Sequence, residues 1–208
     1  MTTKYRYHFF KNVRARGEFP RLLFVAAGVP YEDVRCERHG KEWDEKKPQM
    51  PGRTLPVLEL NGELFDESVV IARYLAREFG LTGKTNYEQL LTDTIVEKII
   101  QVRESFSGFV FEKDEEKKAA AVEKFTKELL PLVLGVIENI AAKNKESDFL
   151  VGDSLTWADL AVFDLCQHLT NFDSHVLDNY PNIAANYKLV PLLPRLDDYL
   201  RNRPVTVI

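Results

Sequence analysis

The apolar positions of the chain change period once, and that change divides it. From Lys4 to Phe65 short apolar runs alternate with polar and turn-forming stretches; from Tyr87 onward apolar residues recur every three or four positions. Lys4 to Phe10 is short and aromatic-rich, which predicts a strand. Leu22, Leu23, Val25 and Ala26 form the apolar face of a helix over 16–27, with Pro20 in its first turn, Gly28 just past its end and Pro30 blocking continuation. Tyr31 to Cys36 predicts a second strand. Arg38 to Gly52 is polar, carries two prolines and reads as a long loop. Pro56–Leu60 and Glu63–Phe65 flank Asn61-Gly62, a two-residue hairpin signal. Ser68 then opens an amphipathic helix over 69–79, closed by Gly80. The order βαβ, crossover, ββα predicts a small mixed sheet covered by helices.

The second part reads as all helix. Leu91, Ile95, Ile99, Val102 and Phe106 mark one stripe, and Val122, Phe125, Leu129, Leu132, Val136 and Ile140 mark another, with a bend predicted near Pro131. Thr156-Trp-Ala-Asp159 is a capping-box pattern before the apolar run Leu160-Ala-Val-Phe, and a last short helix is predicted over 192–202. The expected organisation is therefore an α/β domain over 1–80, a linker over 81–86 and a helical domain over 87–208.

Composition narrows the chemistry. Hydrophobic residues make up 45% of the 208 positions, enough for a real core. A net charge of −4 and a pI near 5.7 argue against a nucleic-acid partner. No run of 18 apolar residues predicts a membrane span, and the N-terminus lacks the pattern of a secretory signal. Cys36 and Cys166 have neither redox-motif nor zinc spacing and read as reduced thiols, so a cytoplasmic protein is expected. His8, His39, His168 and His175 show no ligand spacing, and no metal is expected. Gly83-Lys84-Thr85 ends like a phosphate-binding loop, but position 78 is Glu78 where that loop needs glycine. No GxSxG element occurs.

The informative stretch is 43–68. Leu55-Pro56 begins a strand after a polar loop, where proline is tolerated and is compatible with a cis bond. Backbone groups of Leu55 turned outward would pair with an extended peptide. Glu67-Ser68 stands at a helix start, where N–H groups and the Ser68 hydroxyl favour a carboxylate and Glu67 suits an ammonium group. Trp43 and Lys47 lie four residues apart on the facing loop, and Lys47 offers a cation for a second carboxylate. Together with Arg53 and Thr54, these suit a short zwitterionic peptide. The competing reading is an ordinary helix cap, a packed tryptophan and a solvated lysine.

Several segments resemble the sigma class of cytosolic glutathione transferases, a class that includes the haematopoietic-type prostaglandin D synthases. They are Val13-Arg-Ala-Arg-Gly-Glu18, Tyr31-Glu-Asp33, Trp43 with Lys47, Leu55-Pro-Val-Leu-Glu59, Glu67-Ser-Val-Val-Ile-Ala-Arg-Tyr-Leu75, Gly152-Asp-Ser-Leu-Thr-Trp-Ala-Asp159 and Arg203-Pro-Val-Thr. They span nearly the whole chain in order. The resemblance implies a thioredoxin-like N-terminal domain, an all-α C-terminal domain and a homodimer. It implies that Arg16, Trp43, Lys47, Thr54, Leu55, Glu67 and Ser68 contact glutathione, with Pro56 as a cis proline.

Two positions depart from the family pattern. The family tyrosine that donates to the glutathione sulfur falls on Phe10 when counted back from Arg16, or on Phe9 with one inserted residue such as Lys11. Neither ring has a donor. Tyr7 serves only with further insertion, and His8 only if the register slips. An acidic residue that reaches glutathione across the family dimer falls at Gln101. The expected function is conjugation of the glutathione thiol to small hydrophobic electrophiles, with weakened thiolate activation. The alternatives are a crystallin-like or ligand-carrying glutathione binder with little turnover, and a prostaglandin isomerase. A second-substrate pocket is expected near Phe106 and Phe109 and the C-terminal tail.

Overall fold

The structure is a computed structural model that describes residues 4–145, 147–204 and 206. It divides into two compact units, one made of residues 1–80 with the segment from Pro191 on, the other of residues 81–190. The first unit begins with strand β1 (Tyr5–Phe10), helix α1 (Ala15–Ala27) and strand β2 (Glu32–Cys36). Helix α2 (Lys41–Lys46) follows, then strands β3 (Val57–Leu60) and β4 (Glu63–Phe65), and helix α3 (Ser68–Glu78). The sheet order is β2-β1-β3-β4. β1 runs parallel to β2, with Phe10 opposite Cys36, and antiparallel to β3, with His8 opposite Val57. β3 and β4 form the expected hairpin across Asn61-Gly62. This is the thioredoxin-like α/β arrangement, and the second unit is all helix.

β1 is central in the sheet, so both of its edges are paired. Tyr5, Tyr7 and Phe9 alternate onto one face, and all are buried. Phe9 lies directly against Gly17 of α1, where any Cβ would collide with its ring. The apolar side of α1 supplies Leu22, Leu23 and Phe24, and Phe24 stacks on Tyr31 at 4.3 Å and meets the Tyr5 and Phe79 rings. Gly28 ends α1 at φ 67°, the left-handed conformation a Schellman-type end requires, with Val29 N–H bonded to the Phe24 carbonyl. Pro20 corrects the sequence reading. It is the sixth residue of α1 rather than part of the first turn, so it removes the bond an N–H there would make to the Arg16 carbonyl.

The 38–52 segment is a second correction. It was expected as a loop, yet it contains α2 and a short 3-10 turn at Lys47–Gln49. Glu42 and Asp44 in the first turn of α2 complement the helix dipole, and burial of Trp43 anchors it.

The second unit holds helices α4 (Asn86–Val110), α5 (Glu115–Lys124), α6 (Leu130–Ala141), α7 (Trp157–Phe172) and α8 (Pro181–Leu189). Residues 81–86 were expected as a linker. They pack within this unit instead: the Leu81 carbonyl accepts from Trp157 N–H at 2.8 Å, and Thr85 caps α4 in a reciprocal box with Glu88. The bend expected near Pro131 is a π-helical turn over Phe125–Leu129, immediately before α6. Pro131 cannot donate to the carbonyl four residues back, and a wider turn absorbs the missing bond. α7 is buried along most of its circumference, from Trp157 to Leu169. Its start is held by Asp159, wholly buried, which accepts from Thr156 N–H and Oγ1 (both 2.7 Å), Leu150 N–H (2.8 Å) and Asn186 Nδ2 (2.8 Å).

The last helix, α9 (Pro194–Asn202), was expected within the helical domain. The contacts place it in the first unit, against α1. Glu18, 1% exposed, accepts from Arg203 Nη1 at 2.6 Å and from the Tyr199 hydroxyl at 3.2 Å. A buried carboxylate needs such partners, and this one finds them on the C-terminal segment and on Arg21.

Replacing Asp159 with alanine leaves several buried donors unmet. We expect Asp159→Ala to lower unfolding free energy by about 3 kcal/mol in urea melts. The control Asp153→Ala, which breaks an exposed pair with Lys84, should leave it nearly unchanged. Equal losses in the two variants would contradict this account of the α7 cap.

Candidate functional site

A cleft of ≈ 510 Å³ opens in the first unit, lined in part by Phe10, Trp43, Lys47, Arg53, Thr54 and Leu55. Its floor follows from local packing. Trp43 of α2 is buried with Cys36, Met50 and Val57, and Phe10, Leu55 and Leu64 pack against that cluster. The Phe10 and Trp43 rings meet edge to face, 5.1 Å between centroids. This satellite core fastens α2 over the ends of β1, β2 and β3, and so carries exposed Lys47 to the cleft.

The opposite wall is the 50–56 segment. Arg53 sits at φ 53°, left-handed backbone for a residue with a side chain, and its N–H bonds to the Met50 carbonyl at 3.1 Å. The Leu55–Pro56 peptide is cis, and buried Pro56 leads into β3. The 66–68 turn reaches this wall through Asp66. The Asp66 carboxylate lies so close to Gly52 that a Cβ there would meet it, with Thr54 Oγ1 beside it. Glu67 is exposed at φ 66°, and Ser68 is the first residue of α3. Non-glycine residues in this region of backbone space are uncommon and gather at binding sites.

Both halves of this chain match profiles of one family: residues 6–77 match the glutathione S-transferase N-terminal domain and residues 100–203 the C-terminal domain. Hematopoietic prostaglandin D synthase of Gallus gallus is 36% identical over 198 residues, covering 95% of this chain and 96% of that protein. A glutathione S-transferase of Anopheles gambiae is 32% identical, with 98% of each chain covered. The solved structure of a monomeric glutathione S-transferase, Na-GST-3 from the hookworm Necator americanus, superposes with a TM-score of 0.87 at 32% identity, covering 99% of this chain and 100% of that one.

The chain belongs to the glutathione S-transferase family.

With the family established, the first strand of this transferase carries the chemical question. Tyr7, considered above as a substitute for the family tyrosine, is not among the residues lining the cleft. Its side chain is wholly buried, its hydroxyl donates to the Gly17 carbonyl at 3.1 Å, and burial pushes the phenol well above its ordinary pKa. His8 is buried beside Glu59, with Nε2 3.2 Å from its carboxylate, and burial lowers its pKa. Phe9 and Phe10 point to opposite faces of β1. Phe9 faces α1, with the Arg21 guanidinium 5.6 Å from its ring, and Phe10 lines the cleft. Neither offers a hydrogen to a sulfur atom.

Arg16 is exposed in the first turn of α1, and Gln101 is exposed on α4 of the second unit; neither is among the residues lining the cleft. Phe106 and Phe109 belong to an aromatic cluster with Phe125 and Phe172, with neighbouring centroids 5.0–5.9 Å apart for most pairs. Arg38, His39 and Asp44 also line the cleft and were not foreseen, nor was Asp66. The first three were hidden because 38–52 read as loop; the acid-rich start Lys41-Glu-Trp-Asp was the signal that α2 begins there. Among the described residues no cluster fit to hold a metal ion occurs.

The transferase has two thiols, one of which, Cys36, belongs to the satellite core beneath the cleft. Cys36 and Cys166 are both buried; burial raises the first and pushes the second up to about 12. We expect neither to react with an aromatic disulfide in the native protein at neutral pH, and both to react in guanidinium chloride. Rapid labelling of a thiol in the native state would show the packing around it to be open.

Proposed function

We propose that this protein binds glutathione in the first-unit cleft and conjugates its thiol to small hydrophobic electrophiles. The observation that carries the reading is the cleft itself. Trp43 and Lys47 lie on one wall and Arg53, Thr54 and Leu55 on the other, with the Glu67–Ser68 turn joined to the second wall through Asp66 and Gly52. Lys47 and Trp43 would take the glycine carboxylate. The Leu55 backbone would pair with the cysteinyl residue as a short added strand. Ser68 and the N-terminal N–H groups of α3 would take the γ-glutamyl carboxylate, with Glu67 holding its ammonium group. Arg16, as the resemblance implies, would lie near the cysteinyl end, and Gln101 would accept a hydrogen bond across a dimer.

The reaction needs a thiolate. Glutathione loses its S–H proton to solvent, the sulfur attacks an electrophilic carbon, and the leaving group departs with the bonding pair. A free thiol has a pKa of about 8.5, so at neutral pH only a few per cent is ionised without help. A hydroxyl donor to the thiolate contributes about 1.5–3 kcal/mol. Without one at Phe9 or Phe10, thiolate stabilisation falls by roughly one to two decades. Arg16 and the start of α1 would offset part of this. The sigma-class assignment, a cytoplasmic location where glutathione is kept reduced, and a role in detoxification belong to the same proposal. So does a homodimer, supported by exposed Phe65 and Val70 on β4 and α3. Light scattering should then give about twice the chain mass of 24.0 kDa; a mass of one chain at micromolar concentration would rule the dimer out.

The test is turnover of a chromogenic aryl halide by wild type, Phe9→Tyr, Phe10→Tyr and Lys47→Ala. One tyrosine variant is expected to raise kcat about tenfold or more. Lys47→Ala should raise KM for glutathione about three- to tenfold with little change in kcat, the mark of binding shared by ground and transition states. Tight glutathione binding with no turnover in any variant would favour the non-catalytic reading that the two phenylalanines suggest. No calorimetric binding at millimolar glutathione would overturn the proposal.

A further inference from the structure

The second unit has an opening of its own. A cavity of ≈ 250 Å³ lies between the first turns of α4, the end of α6 and the loop that leads into α7. Its bed is apolar, made of Leu91 from α4, Ile140 from α6, and Leu150 and Val151 from the loop. The loop is tied down before any ligand arrives. Asn144 Nδ2 donates to the Phe149 and Gly152 carbonyls, both at 2.7 Å, and Leu150 N–H donates to buried Asp159 at 2.8 Å. A wall held from both sides does not relax into the space beside it, which is the character of a pre-formed ligand site. Tyr87, Glu88 and Lys143 complete the lining, and Tyr87 and Lys143 are exposed. Glu88 is already committed, since its Oε2 accepts from Lys84 N–H and Thr85 N–H at the start of α4. Lys143 has no ion pair, and the Tyr87 hydroxyl no hydrogen bond, among the described residues. Leu90, one turn along α4 from Tyr87, is also exposed, so apolar surface continues outside the cavity.

We propose that this cavity binds small aromatic monocarboxylates, of one ring or two fused rings, at a site that shares no residue with the first-unit cleft. The groups left uncommitted there are an apolar bed, a phenol and a single ammonium, and they define the ligand. Its ring rests on Leu91, Ile140, Leu150 and Val151 with the Tyr87 ring at its edge, and the Lys143 ammonium takes the carboxylate. A dry apolar cavity of roughly 150 Å³ holds benzene. The larger volume here suits a body up to the size of naphthalene. Glu88 on the same wall disfavours a second negative charge, which limits the class to monocarboxylates. Because an exposed ion pair contributes little and is screened by salt, the apolar bed supplies most of the affinity and Lys143 the choice of carboxylate. The inference does not depend on the glutathione reading.

The experiment is equilibrium dialysis of 2-naphthoate, 2-naphthylmethanol and naphthalene-2,6-dicarboxylate against the full chain at low salt. The naphthoate is expected to bind with a dissociation constant of about 0.1–1 mM. The alcohol should bind about two- to fivefold more weakly, and the dicarboxylate more weakly than the monocarboxylate. Lys143→Met, which removes the charge and keeps the apolar stem, should weaken naphthoate by about two- to fivefold and leave the alcohol unchanged. Leu91→Trp, which fills the bed, should abolish binding of both, with folding checked by its melting curve. Naphthoate binding should persist when S-hexylglutathione is added to fill the first-unit cleft. Absence of saturable binding at millimolar naphthoate overturns the inference. So does naphthoate binding that Lys143→Met leaves unchanged, which decides the matter even where Leu91→Trp fails to fold. Displacement by S-hexylglutathione would place the probe in the first-unit cleft and overturn it too. Loss of naphthoate binding as the protein is concentrated into dimers would show a second copy to be the occupant, with the same result.

Discussion

Burial of one indole ring sets the shape of the binding cleft. Trp43 sits on a helix of only six residues, too short to be stable alone in water, and its ring packs with Cys36, Met50 and Val57 beneath Phe10 and Leu55. Those partners come from three strand ends and the 50–56 segment. A single satellite core therefore fixes α2 and the opposite wall at once, and Lys47, Arg53 and Thr54 can remain exposed without losing their relative positions. Exposed polar groups on irregular backbone are held by an apolar contact just below them.

A second set of buried interactions governs the segment behind the cleft. Glu18 and Arg21 are each 1% exposed, and their charges are satisfied by one another, by Asp33 and by Arg203 and Tyr199 from the end of the chain. Removing one partner from such a group is strongly destabilising, whereas the intact group contributes little net stability. Its consequence is specific rather than energetic. α1 is held by Phe9 pressed against Gly17 and by the charged set, whose Arg21 guanidinium lies 5.6 Å from the Phe9 ring. Arg14, just before α1, also donates to Thr206 at 2.8 Å. The C-terminal segment is thus a structural part of the N-terminal unit.

These features explain what was legible in the sequence. The strands, the Asn61-Gly62 hairpin and the helix beginning at Ser68 are local in origin, and their periodicity and turn chemistry announced them. The α7 cap was visible for the same reason, since Thr156 and Asp159 satisfy the helix start within four residues. α2 was missed because its stability comes from Trp43 meeting residues far away in sequence, and the same loop reading concealed Arg38, His39 and Asp44. The place of α9 was misjudged because Arg203 and Tyr199 reach Glu18 across more than 180 positions, a pairing no local pattern encodes. Asp66 escaped notice because its role depends on the missing Cβ of Gly52.

Gripping a thiol peptide and ionising its thiol are physically separable, and on the proposed reading this chain would divide them between different elements. The grip would be distributed over α2, the 50–56 wall and the α3 start, where each hydrogen bond would contribute about 1 kcal/mol. Ionisation would rest on a single donor at the end of β1, where the resemblance implies a tyrosine hydroxyl and this chain has Phe9 and Phe10. The strand cannot supply a replacement by slipping one residue. Alternation would turn Tyr7 and Phe9 out of the α1 interface, break the Tyr7 bond to Gly17, and undo the pairing of β1 with both neighbours. The hydroxyl nearest in sequence is thus locked away by the packing that builds the fold.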